Sequence, residues 1–207
     1  MKILLVIEST TEQKGATKPI PALDLYQSRT HNLVWNSAAA FWREQKYTND
    51  VLDIKVLSPV YGLAAVTQEL SPYQDSFIGQ NDSLLKKNAE LLGVPRALRL
   101  LLNSGTYGLC LFLTDRSTFI VSGLAELQTS KTPVLCICNP NVLPLIPNNL
   151  RIMGIAPNEQ QARALLGVAP DVRGVLLSRL LYCLTRETTD ITDLLCKDAN
   201  GVLAMLV

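Results

Sequence analysis

The sequence predicts an α/β fold: one domain with a mostly parallel central sheet flanked by helices. Three observations carry this. Four apolar, β-rich runs (Ile3 to Ile7, Val51 to Leu57, Tyr107 to Leu113 and Pro133 to Cys138) are separated by stretches of helical character. Such alternation favours parallel strands with crossover helices on both faces. The length of 207 residues suits one domain spanning 1–207. Finally, 48% of residues are hydrophobic and only 18% charged, which supports a buried core without metal or disulfide staples.

Each element follows from local chemistry. Ile3 to Ile7 is an unbroken apolar run and reads as a buried central strand. Polar residues follow to Thr17, and Pro19 and Pro21 then fix an extended segment. Asp24 is placed to cap a helix from about Leu25 to Gln45, with Leu33, Val34, Ala38, Phe41 and Trp42 as its apolar stripe. Asn49-Asp50 marks a turn into the strand Val51 to Leu57. The segment from Ser58 to Gln80 reads as a long loop, and long loops in compact domains are usually functional. Asp82 is placed to cap a helix through Leu92, and Gly93-Val94-Pro95 separates it from a second helix to Leu102.

After the strand ending at Leu113, Thr114-Asp115-Arg116-Ser117 turns into a helix reaching about Gln128. Pro133 to Cys138 is the fourth strand and Arg151 to Ile155 a weaker fifth. Helices are expected from Pro157 to Leu166, from Asp171 to Thr185 and from Thr189 to Lys197, and a last strand from Val202 to Val207.

Composition excludes some function classes. A net charge of +1 gives no broad basic field for non-specific nucleic-acid binding. No apolar stretch reaches the ~18 residues of a membrane span. The apolar run after Met1 stops at Glu8, too short for a signal-peptide core. The five cysteines lie mostly in apolar runs and read as buried free thiols. A cytoplasmic location is therefore expected, with no membrane partner.

There is no P-loop, no G-x-G-x-x-G and no nucleophile elbow, so no cofactor is expected. Cys136-x-Cys138 has no second pair at metal-ligand spacing and reads as strand packing, with no metal expected. The one histidine, His31, lies in a predicted helix and reads as structural or as a lone acid–base group.

Three clusters fall just past strand ends, where open parallel sheets bind ligands. Glu8-Ser9-Thr10-Thr11 supplies a carboxylate and hydroxyls, with Lys14 or Lys18 nearby for charge; a plain polar surface loop fits the same residues. The loop after Leu57 carries Tyr61 and Tyr73, with Gly62 for a sharp turn. These rings suit stacking on a flat heterocycle, and equally suit anchoring the loop to the core. Thr114 to Thr118 presents a helix start and Arg116 to an anion, or simply a helix cap at Asp115 or Ser117.

The run Leu57-Ser58-Pro59-Val60-Tyr61-Gly62-Leu63, followed by Leu70-Ser71-Pro72-Tyr73, resembles a signature of the peroxide-stress protein family of the YaaA type and its uncharacterised relatives. Ser58, Tyr61, Gly62, Pro72 and Tyr73 fall on its positions, and Ala22-Leu23-Asp24-Leu25-Tyr26-Gln27-Ser28 resembles a helix start in the same family. Ser9 and Lys14 correspond loosely to a polar Ser/Cys-Lys loop. Where relatives carry the cysteine, this chain has Glu8-Ser9-Thr10, so the resemblance does not extend to a thiol-dependent activity. It covers residues 1–80 or so.

The resemblance implies a role in oxidative stress, DNA binding, and distant similarity to enzymes that modify 7-deazaguanine bases. On that basis the expected function is binding or modifying a nucleobase, a nucleotide or nucleic acid, with Glu8, Ser9, Lys14, Tyr26, Ser58, Tyr61 and Tyr73 converging on one pocket. The alternative is a non-enzymatic binding or scaffold protein that keeps the fold without catalysis. A doubly wound nucleotide-processing enzyme has less support, because the glycine-rich phosphate loop is missing.

Overall fold

The computed structural model describes residues 1–44, 51–148, 151–166, 172–186 and 199–206. Its centre is a six-stranded sheet. Strand β1 (Lys2–Glu8) lies between β3 (Val51–Ser58) and β6 (Leu109–Thr114), parallel to both. Beyond β6 follow β7 (Val134–Cys138) and β8 (Ile152–Ile155), also parallel. On the other side β4 (Gly62–Ala65) runs antiparallel to β3 and closes that edge. Counting only the parallel strands, the spatial order is second, first, third, fourth, fifth. That is an open doubly wound sheet, and its topological switch point falls between β1 and β6.

Alternation along the strands divides the core. Ile3, Leu5 and Ile7 face one layer, and Leu4 and Val6 the other. The first layer is covered by α2 (Arg29–Glu44) and α7 (Val172–Arg186), through Val34, Phe41, Leu176, Leu177 and Leu180. The second is covered by α3 (Asp82–Leu91), α4 (Val94–Asn103) and α5 (Arg116–Ser122), through Leu85, Leu98 and Phe119. Strands buried on both faces must be apolar throughout, which is why the sequence reads them as continuous runs.

Several expected boundaries change. The helix expected from Leu25 is two: α1 (Ala22–Leu25) stops at Tyr26, whose backbone is extended, and α2 begins three residues later. Asp24 lies inside α1 and does not cap it. Asn81, not Asp82, caps α3, its side chain accepting the Leu84 N–H at 3.0 Å. The loop after Ser58 contains β4 and a short β5 (Glu69–Leu70), which pairs with β2 (Ile20–Pro21). Gly62 makes the turn into β4 at φ 65°, and a Cβ there would lie 3.1 Å from the Leu92 carbonyl oxygen. The helix after Asp115 ends at Gly123, also left-handed at φ 69°.

The expected last strand, Val202 to Val207, is corrected: Ala199–Leu206 is a helix, α8, after α6 (Glu159–Leu166) and α7. Val202, Leu203 and Leu206 form its buried stripe at helical spacing, packed in the α2–α7 layer. A short apolar run carries no reliable period of its own, and packing decided it. The Asn49-Asp50 turn, the Thr189 to Lys197 helix and Cys196 lie outside the described residues.

Candidate functional site at the carboxyl edge of the sheet

Glu8 ends β1 at the switch point, and its carboxylate is held from two sides. Oε1 accepts from Arg173 Nη2 at 2.8 Å, and Oε2 accepts the backbone N–H of Asp115 at 3.0 Å. The side chains of Glu8 and Arg173 are only 17% and 13% exposed. Asp115 in turn caps α5, its Oδ1 accepting the Thr118 N–H at 2.8 Å. The ends of β1 and β6 and the start of α7 are thus joined through one carboxylate.

Above this junction lies a cavity of about 230 Å³. Its walls come from the loop after β1 (Ser9 to Glu12), the start of α2 (Ser28, Thr30, His31), the segment Asp75 to Ile78, the β6–α5 turn and Arg173. His31 is 2% exposed, lying beside the rings of Tyr26 at 5.4 Å and Trp35 at 5.8 Å. The Ser28 hydroxyl accepts the His31 backbone N–H at 3.3 Å and lies 2.7 Å from His31 Nδ1. The two contacts cap the start of α2 and tether the imidazole. Phe77, 5% exposed, supplies an apolar wall.

Of the residues in the strand-end clusters singled out from sequence, Glu8, Ser9, Thr10, Thr11, Asp115 and Thr118 line this cavity. Tyr26, Ser58, Tyr61 and Tyr73 come together beside it in one hydrogen-bonded cluster. Ser58, fully buried at the end of β3, accepts the N–H groups of Val60 and Tyr61 at 3.2 Å and donates to the Tyr73 hydroxyl at 3.0 Å. Tyr73 and Tyr26 share a hydroxyl–hydroxyl bond of 2.8 Å, and the Tyr73 N–H donates to Gln13 Oε1 at 3.0 Å. Tyr61 donates to the Ser71 carbonyl at 3.2 Å and accepts the Ser71 N–H at 3.1 Å, clamping the β4–β5 excursion. The Tyr26 phenol is pushed well up, first by burial and then by Tyr73, so it stays protonated. Lys14 joins neither group: its side chain is exposed, and its backbone N–H donates to the Leu25 carbonyl at 2.8 Å. Arg116 forms a surface pair with Asp82 at 2.7 Å and is not on the cavity wall.

Sequence reasoning missed Arg173, Asp75 and the Ser28–His31 pair as cavity residues. Ser28 stood in the quoted helix-start motif, so a cap at that position was findable. Arg173 is 165 residues from Glu8 and carries no local signal.

Cys110, Cys136 and Cys138 are buried in the α3–α5 layer, and Cys183 is half-buried. Burial pushes the Cys138 thiol up to about 12 despite nearby Arg173, and pushes Cys110 and Cys136 up as well. Because the thiolate is the reactive form, these three should be inert in the native protein. A thiol reagent is expected to find at most two reactive groups natively and all five cysteines after denaturation. Rapid native reaction of more than two would contradict this burial.

No protein-family profile matches the chain, and no curated protein is significantly similar to it. Among the described residues, no helix is long and apolar enough to cross a membrane.

Proposed function

We propose that this protein binds a nucleobase or a nucleobase-containing ligand in the cavity above Glu8. The observation that carries the proposal is the placement of that cavity at the switch point of a doubly wound sheet, with one ionic carboxylate fixed at its base. A carboxylate with spare lone pairs accepts the N–H donors that base edges present. Phe77 and the hydroxyls of Ser9, Thr10 and Ser28 give the mixture of apolar wall and convergent polar groups usual in ligand sites. The resemblance through Ser58, Tyr61 and Tyr73 supports the same reading and a stress-related role, and the cysteine pattern supports a cytoplasmic setting. In this reading the tyrosine cluster holds the β1 and β3 loops in place, and the ligand lies beside it.

Calorimetric titration with nucleobases, nucleosides and a short single-stranded oligonucleotide tests this. At least one should bind, and Glu8→Gln should weaken it about 10-fold or more, since a hydrogen bond to a charged group contributes ~1.5–3 kcal/mol.

A scaffold role without a ligand is favoured by a different observation: the hydroxyls of Ser58, Tyr61, Tyr73 and Tyr26 are engaged with one another or with backbone. Absence of binding to every probe would leave that reading standing.

A further inference from the structure

We infer that the cavity takes its ligand unphosphorylated, as a neutral or cationic N–H-rich heterocycle, and rejects the phosphorylated form. This rests on the base-binding reading above. At the switch point of a doubly wound sheet, helix starts and backbone N–H groups converge, and phosphates bind there. In this protein two of those N–H groups are already answered by the chain's own carboxylates. Glu8 accepts the Asp115 N–H, and Asp115 accepts the Thr118 N–H. The start of α2 is likewise answered by the Ser28 hydroxyl. The protein supplies its own anion where a ligand phosphate would otherwise sit.

Charge on the walls points the same way. Glu8, Glu12, Asp75 and Asp115 line the cavity, and among the described residues the lysine or arginine on its wall is Arg173, which is bound to Glu8 at 2.8 Å. Glu12 and Asp75 are exposed at the rim, where a phosphate hanging outward from a bound base would meet them. Lys14 and Lys18 are exposed and off the cavity wall, and Arg116 is held by two hydrogen bonds to Asp82. Size agrees: about 230 Å³ is below the ~300–1,000 Å³ usual for drug-sized ligands and suits a single heterocycle.

The test compares adenosine, guanosine, cytidine and uridine with their 5′-monophosphates on the full chain, with inorganic phosphate as competitor. A nucleoside that binds should exceed its monophosphate by about 10-fold or more at low salt, with the gap shrinking as salt rises. Inorganic phosphate should not displace it. Glu12→Gln with Asp75→Asn should narrow the gap. A monophosphate that binds as tightly as its nucleoside, or displacement by phosphate, would overturn the inference while leaving base binding intact. Failure of all nucleosides and monophosphates to bind would overturn this inference, and failure of the free nucleobases as well would overturn the base-binding reading with it.

Discussion

Tyr26→Ala is expected to lower stability by about 3–5 kcal/mol, as deletion of a large buried ring usually does. Tyr26 is 1% exposed, and its ring meets those of His31 and Tyr73 at 5.4 Å and 6.4 Å. Its hydroxyl is also a partner of Tyr73, which is the partner of Ser58. The alanine variant therefore opens a cavity and strips one end of a buried hydroxyl chain. A domain has only ~5–15 kcal/mol in hand, so the loss is a large fraction of the whole. Tyr26→Phe separates the two contributions: it keeps the ring and leaves the Tyr73 hydroxyl one partner short, at a cost of about 1–2 kcal/mol. Urea denaturation of the three proteins measures both. Equal losses for the two variants would mean the hydroxyl chain dominates and packing does not; a loss under ~1 kcal/mol for alanine would remove Tyr26 from the structural core altogether.

That contrast shows where sequence reading succeeds and where it stops. Three of the four main strands were legible because strands of a parallel sheet are buried on both faces, so Ile3 to Ile7 and Val134 to Cys138 are apolar without interruption; Val51–Ser58 instead alternates, with Asp53 and Lys55 partly exposed. The mixed α/β architecture followed from their spacing. Short elements were not legible: β4 and β5 are four and two residues long and pair with β3 and β2, and Tyr61 clamps Ser71 just past β5. The Val202 run failed for a related reason, since packing beneath α7 set its state. In the site, residues next to strand ends could be placed from chain order, which located Glu8, Ser9 and Ser58 at one edge. Tyr26 and Tyr73 gathered with Ser58 as the quoted motif suggests, but as a hydrogen-bonded cluster that engages the hydroxyls internally. Arg173 depends on how α7 docks across the end of β1, a long-range contact that no spacing in residues 1–80 encodes.

Arg173→Met is expected to cost roughly 2–4 kcal/mol, somewhat below the ~3–5 kcal/mol seen when one partner of a fully buried ion pair is removed. The discount reflects the 13% and 17% residual exposure of the two side chains. Methionine keeps much of the aliphatic stem, so most of the loss is the guanidinium that now answers Glu8 Oε1 at 2.8 Å. Glu8→Gln in the Arg173→Met background should recover part of the loss, because the amide oxygen can still accept the Asp115 N–H without burying a charge. The surface pairs are the contrast: Lys86–Glu126, at 62% and 64% exposure, should contribute little and fade with salt. The Glu8–Arg173 coupling, measured by a double-mutant cycle, should persist in high salt because mostly buried charges are poorly screened. If the cycle gives no coupling, the pair does not tie α7 to β1. The cavity wall that Arg173 provides would then have to be held by packing of Leu176 and Leu177 against α2 and the sheet, and Glu8 would be free to meet a ligand cation directly.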